Sequence, residues 1–244
     1  MLRVFGRWLL LCMLTLVALQ SFFVMRVISM RWVDPQSTAF ERSEIWQVAA
    51  QPDKAFAWKQ QWLPYAEISD NMKRAVIASE DGDFAYHEGV EWNAIEKAWQ
   101  RNTKAEQQAE RRSKRTGKIV APKIIGGSTV TQQLAKNLFL SGERTFLRKG
   151  QEFVITFALE AFLPKERILE IYLNSVELGT GVFGVEAASQ LYYRKSASRL
   201  SAYEAAKLAV MLPRPKFFER APNSVYLSSR AQTIVARMED AELP

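Results

Sequence analysis

Residues 79–89 read S-E-D-G-D-F-A-Y-H-E-G, and the adjacent carboxylates Glu80 and Asp81 follow closely on the apolar run Ala75, Val76, Ile77 and Ala78. Asp70 can cap a helix through that run, with Met72, Val76 and Ile77 on one face and Lys73 and Arg74 on the other. Gly82 supplies a stop. Glu80 then falls at a helix C-terminus, where the backbone dipole disfavours an ionised carboxylate. Asp81 beside it, with Phe84 and Tyr86 nearby, pushes the same way, toward a raised pKa. A carboxylate in that setting is a candidate general base or acid. The same residues also fit a solvated acidic loop after a helix.

The 244 residues allow one good-sized domain and an appendage. The appendage is at the front. Residues 8–25 read W-L-L-L-C-M-L-T-L-V-A-L-Q-S-F-F-V-M, 18 residues without a charge, near the minimum for a membrane-spanning helix. Arg3 and Arg7 precede the run while Arg26 and Arg31 follow it, which leans toward a cytoplasmic tail over residues 1–7. A cleaved signal peptide is the rival reading. The sequence Phe22, Phe23, Val24, Met25 gives no small-residue cleavage site, so an uncleaved anchor is preferred. The one cysteine, Cys12, lies inside that run, so no disulfide is expected in the remainder. The one histidine, His87, argues against a His-rich zinc site and against most serine triads. No metal held by protein ligands is expected.

The formal charge of +7 is concentrated. Residues 101–123 carry Arg101, Lys104, Arg111, Arg112, Lys114, Arg115, Lys118 and Lys123 against Glu106 and Glu110, so 8 − 2 = +6 resides there. By composition this is a mobile, solvated loop. Its functional readings are an anionic bilayer surface, a phosphate-bearing substrate or nucleic acid, and the apolar anchor favours the first two. Residues 26–66 read as a juxtamembrane linker and lead-in broken by Pro35, Pro52 and Pro64. Their tryptophans, Trp32, Trp46, Trp58 and Trp62, suit a membrane interface or a core equally.

From Gly126 the texture changes to G-G-S-T-V-T-Q-Q-L-A-K-N-L-F-L. Two glycines permit close backbone approach, and Ser128 or Thr129 can cap a helix whose free amides face its N-terminal end. Thr129, Gln132, Gln133 and Lys136 share neighbouring faces, while Val130, Leu134, Leu138 and Phe139 can enter a core. An amphipathic helix with a polar outer face explains this pattern, and so does a phosphosugar site. Next, Thr145 can cap a helix on which Arg148 and Lys149 stand one turn before Glu152. A surface ion pair and a cationic clamp for a diphosphate are both compatible with that spacing. Pro164 opens a further helix with Ile168, Leu169, Ile171 and Tyr172 as a buried stripe. Ser201 and Glu204 fit a capping box, and a last helix is expected over residues 226–240. Nothing alternates like a strand for long, so the fold class is mainly α.

The ordered motifs resemble the peptidoglycan glycosyltransferases, lysozyme-like polymerases of the bacterial cell wall. The first, E-D-x-x-F-x-x-H-x-G, is matched at Glu80, Asp81, Phe84, His87 and Gly89. The second, G-G-S-T-x-T-Q-Q-x-x-K-N, is matched over residues 126–137, and the third, R-K-x-x-E, at Arg148, Lys149 and Glu152. The fourth, K-x-x-I-L-E-x-Y-L-N, closes on Asn174, and A-A-x-L-A-x-x-L-P-x-P covers residues 205–215. The resemblance implies a lysozyme-like glycosyltransferase domain over residues 67–240 behind one N-terminal transmembrane helix. It implies a single-pass protein of the bacterial inner membrane with its catalytic domain on the periplasmic face.

The implied substrate is lipid II, joined to a lipid-linked glycan by inverting transfer. Glu80 is then the base, and Glu152 orients cations or shares in the departure step. Lys136, Arg148 and Lys149 meet the diphosphate, while Ser128, Thr129, Gln132, Gln133 and Asn174 contact sugar or shape the pocket. Asp81, Phe84, His87 and Gly89 are read as structural. No tightly bound cofactor is implied, although a divalent cation, Mg or Mn, can accompany the substrate diphosphate. Cell-wall synthesis proteins are candidate partners and nucleic acid is not. S-x-x-K and K-T-G are both missing, so transpeptidase chemistry is not expected. A lysozyme-like hydrolase, with its glutamate as general acid, and a non-catalytic membrane scaffold are the rivals.

Overall fold

The computed structural model describes residues 1–50, 58–122, 126–140, 143 and 145–244. Pro52 and Lys123 therefore lie outside the described residues. Helix α1 (Leu2–Ser29) leads into α2 (Ala39–Ala49), the two-residue strand β1 (Lys59–Gln60) and α3 (Asp70–Glu80). Then come α4 (Trp92–Thr116), α5 (Val130–Phe139), α6 (Phe146–Phe162) and α7 (Lys165–Ser175). Strands β2 (Glu177–Gly179) and β3 (Val182–Phe183) precede α8 (Val185–Tyr193), α9 (Ala202–Met211), α10 (Pro215–Arg220) and α11 (Val225–Val235). The sheet runs β1-β3-β2: β1 lies parallel to β3, with Lys59 opposite Val182, and β2 lies antiparallel to it. The fold is mainly α.

The core is built around α7, whose Ile168, Leu169, Ile171, Tyr172 and Leu173 are all fully buried. A helix apolar on nearly every side must be surrounded rather than laid on a surface. Helix α3 turns Met72, Val76 and Ile77 inward against α9 and α11. Ser69, rather than Asp70, caps it, its hydroxyl accepting from the Asn71 amide. The side chain of Asp70 pairs with Lys73 instead. The capping boxes Thr129–Gln132 and Ser201–Glu204 start α5 and α9.

Helix α1 is longer than the uncharged run, and its two ends differ. Over its first five turns Phe5, Trp8, Leu9, Leu14 and Leu19 are about half exposed or more, an arrangement stable only where the surrounding solvent is itself apolar. Its last turns dock on the domain. Phe23 meets Phe139 edge-on at 5.4 Å, Gln20 and Gln151 exchange hydrogen bonds of 2.8 and 2.9 Å, and Val27 is fully buried. Arg167 then donates to the Met30 carbonyl and to Asp34. The segment read as a linker is thus pinned at both ends, and α2 is tied down by pairing of Glu44 with Lys216. The tryptophans divide: Trp32 and Trp46 are exposed, while Trp58 packs on Phe183 and Trp62 lies under the Arg167 guanidinium. Beside α1, helix α6 presents Phe146, Leu147, Val154 and Phe157 to the outside, and Trp92 stacks on Phe153 at its edge.

The basic stretch also departs from the sequence reading. Residues 92–116 form a single 25-residue helix, ended by Gly117 in the left-handed conformation (φ 68°), not a loop beginning at Arg101. Strong helix formers fill it, and Glu110 pairs with Lys114 one turn on at 2.7 Å. Ala94, Ala98, Ala105 and Ala109 make a small-residue stripe that is partly or fully covered. The chain after Gly117 covers part of it, since the Val120 amide donates to Ser113. Gly127 lies so near Ala94 and Ala98 that a Cβ there would sit 2.9 Å from the Ala98 methyl.

Candidate active site

Glu80 is the last residue of α3, and its carboxylate stands in the wall shared by two cavities. Its Oε2 accepts from Gln133 Nε2 at 3.0 Å, and Gln133 Oε1 accepts from the hydroxyl of Tyr172 at 3.0 Å. Tyr172 is fully buried, so this chain of bonds orients Gln133 and aims Glu80. Burial holds the Glu80 carboxyl above the ordinary carboxylate range, with Asp81 adding to the rise and Gln133, Ser79 and Arg230 opposing it. A base must be ionised to work. Activity is therefore expected to fall on the acid side with a midpoint above 4.5, read from the pH dependence of initial rates. For stability the sign is opposite. A folded-state pKa above the unfolded one favours the protonated fold, so Glu80 contributes most at low pH and that contribution is lost as pH rises through its pKa.

Asp81 does a different job from its neighbour. It is buried; Oδ2 accepts from the Val130 amide at 2.9 Å, and Oδ1 lies 2.8 Å from His87 Nε2. His87 Nδ1 accepts from the Gly89 amide at 3.0 Å, which leaves Nε2 as the donor to Asp81. Thr129 Oγ1 donates to the Gly89 carbonyl at 2.6 Å. One network therefore fastens the loop after α3 to the start of α5. Gly89 has φ +82°, and a Cβ there would come 2.7 Å from Thr156, so a side chain fails on both counts. Phe84, fully buried, anchors the same loop, with the Lys165 ammonium 4.5 Å above its ring.

The larger cavity, of about 410 Å³, opens between α3, α5 and α6. Lys136, Arg148, Lys149 and Glu152 border it together with Glu80, Ser128, Gln132 and Gln133. Glu152 is buried and paired with both Arg148, at 2.8 Å, and Lys149. With Glu152 buried, these are not surface ion pairs. Arg148 Nε and Gln132 Nε2 are buried without a partner among the described residues, which leaves donor capacity beside this cavity. The smaller cavity, of about 190 Å³, lies on the other side of Glu80 and is bordered by Ser128, Thr129, Gly127 and the start of α4.

One assigned pocket residue lies in the scaffold behind the cavities. Asn174 is fully buried and borders neither cavity. Its amide donates to the Leu63 and Glu170 carbonyls while its oxygen accepts from the Leu63 amide, so nothing remains for a sugar. Thr129, by contrast, borders the smaller cavity, and its hydroxyl accepts from the Gln132 amide and donates to the Gly89 carbonyl. Tyr172, read as core, proves to support the site as well. Its position in an apolar stripe gave no sign of that second role. Among the described residues no three His, Cys, Asp or Glu side chains cluster as a metal site.

The transglycosylase family model matches residues 48–239. The chain belongs to that family. It is 51% identical over 98% of its length to a biosynthetic peptidoglycan transglycosylase of Burkholderia thailandensis, covering 84% of that protein. It is 50% identical over 97% of its length to one from Herminiimonas arsenicoxydans, covering 96% of it, and 49% identical over 96% to one from Bordetella pertussis, covering 91%. This transglycosylase is a glycosyltransferase of peptidoglycan synthesis, and its N-terminal apolar helix fits a single-pass membrane anchor.

Proposed function

We propose that this transglycosylase elongates glycan strands from lipid II by inverting transfer, releasing polyprenyl diphosphate and carrying out no transpeptidation. The observation that carries this is that Glu80 borders the same cavity as Lys136, Arg148 and Lys149. The 4-hydroxyl oxygen of the incoming lipid II attacks the anomeric carbon of the lipid-linked glycan, and Glu80 takes its proton. The bond from that carbon to the diphosphate oxygen breaks, and its electron pair leaves with the diphosphate. The leaving group needs its charge neutralised more than it needs a proton, and the three cations supply that. Glu152, between Arg148 and Lys149, holds them in place.

Mg or Mn would arrive on the substrate diphosphate. The side chains facing that position are themselves cationic, and both Glu152 oxygens are paired, so the described residues offer no ligand set of their own there. The anchor and the exposed apolar face of α6 beside it bring the cavity to a membrane surface, where a polyprenyl chain resides. With Arg3 and Arg7 on the cytoplasmic side, the domain faces the periplasm. A hydrolase of finished glycan would have no use for this cation set. Incubation with purified lipid II is expected to give long glycan. Shortened sacculus fragments with no polymer would overturn the reading.

A further inference from the structure

A further cavity, of about 360 Å³, lies where the chain leaves α1 and turns into α2. Arg26 borders it from α1 and Arg42 from α2. Both are exposed, and among the described residues neither is held by an ion pair. The acid in the cavity wall, Asp34, is bound to Arg167 at 2.6 Å. Glu41, next to Arg42, is buried, and its oxygens accept from the Thr38 amide and from Gln60. The cavity therefore carries two positive charges in excess. We propose that Arg26 and Arg42 hold the phosphate of an anionic phospholipid, which ties the membrane helix to the start of the domain.

Depth in the bilayer decides the ligand. The 18 uncharged residues 8–25 span about 27 Å as a helix, close to the roughly 30 Å of a hydrocarbon core. Arg26 is the next residue, so it emerges at the level of the lipid phosphates. Trp32, exposed with the Arg31 guanidinium over its ring, suits the same interface. The cavity lining is mixed. Met30 and Pro35 are buried there and Val33 is exposed, while the hydroxyls of Ser29 and Ser37 join the two arginines. A glycerophospholipid has that same mixture, an anion joined to an apolar ester end, whereas a free phosphate would leave the apolar part bare. The ammonium of a zwitterionic headgroup would face the excess cations, so an anionic lipid is favoured.

Arg42 is already set for the contact. Its Nη1 donates to the Ser37 carbonyl at 3.0 Å and to the Ser37 hydroxyl at 2.9 Å. That fixes the guanidinium plane and, among the described residues, leaves Nε and Nη2 for a phosphate. One arginine belongs to α1 and the other to α2, so an anion between them removes their mutual repulsion and joins the two helices. This adds to the bonds from Arg167 to the Met30 carbonyl and to Asp34, and sets how the domain stands on the bilayer.

The test uses the full chain in a neutral detergent, with phosphatidylglycerol, phosphatidylethanolamine or inorganic phosphate added and bound lipid counted by native mass spectrometry. The parent is expected to retain one phosphatidylglycerol, several-fold more tightly than phosphatidylethanolamine. Arg26→Gln/Arg42→Gln should weaken that retention roughly tenfold or more, and Arg26→Lys/Arg42→Lys should restore part of it. Arg31→Gln takes a charge from the same interface but from outside the cavity, and should change retention little. A loss from Arg31→Gln as large as that from the glutamine pair would show a general attraction to charge and overturn the site. Equal retention of the two lipids, or retention unchanged in the glutamine pair, overturns it as well. Inorganic phosphate at millimolar concentration should not displace the lipid; if it does, the cavity takes a free anion and the lipid assignment fails. Phosphatidylglycerol should raise the thermal midpoint of the parent and not that of the glutamine pair. A rise shared by both would place the lipid elsewhere.

Discussion

Glu80→Gln is expected to lower lipid II polymerisation about a thousandfold, within the range that general base catalysis supplies, while leaving the fold intact. The substitution is nearly isosteric, so the new side-chain amide can still offer an oxygen to Gln133 Nε2. What is lost is the ability to take a proton. Because burial already disfavours the Glu80 carboxylate, a neutral amide at that position removes a desolvation cost instead of adding one. The thermal midpoint should therefore match or exceed the parent's at neutral pH. That combination separates a chemical role from a structural one, since a residue needed for packing would lower both quantities together. Polymer formed at the parent rate by the folded variant would remove Glu80 from the chemistry and leave a non-catalytic scaffold as the better reading.

How much of this was legible before the structure depended on the range of the interactions concerned. Helices α5, α7 and α9 could be read because each carries its own start signal and an apolar stripe of helical period within about ten residues. Glu80 stood out because its environment is local: a helix end, a second carboxylate and nearby aromatics. The part of α4 beyond Gln100 was misread because its stabilising features are weak one at a time. Small alanines and an i,i+4 pair look like solvated coil until the chain folds back upon them. Asn174 was grouped with residues that contact sugar or shape the pocket for the opposite reason. Its partners at Leu63 are 111 residues away, and nothing in the local sequence indicates that both ends of the amide are already engaged. The link from Glu80 through Gln133 to Tyr172 likewise spans separations of 53 and 39 residues. Composition records which groups are present, but only the packed chain decides which of them remain free for a substrate.

Asp81 illustrates that distinction at the centre of the site, and its removal is expected to be the most damaging to stability. Asp81→Ala leaves the Val130 amide and His87 Nε2 facing a buried space without an acceptor. Each of the two orphaned donors costs on the order of 1–3 kcal/mol, giving a total of roughly 2–6 kcal/mol. For a domain of this size that lowers Tm by about 4–24 °C. His87→Ala should cost less, because Asp81 keeps its bond to the first turn of α5. Asp81→Asn should fall between the two, since an amide has one oxygen to accept with and its NH₂ meets a second donor. The order Ala, Asn, then His87→Ala, measured by thermal unfolding in the same detergent, follows from how much of the Asp81 link to the Val130 amide and His87 each variant keeps. If Asp81→Ala melts within a degree of the parent, the carboxylate is not fastening the catalytic loop to α5. Glu80 would then have to be positioned by Gln133 and Tyr172 alone.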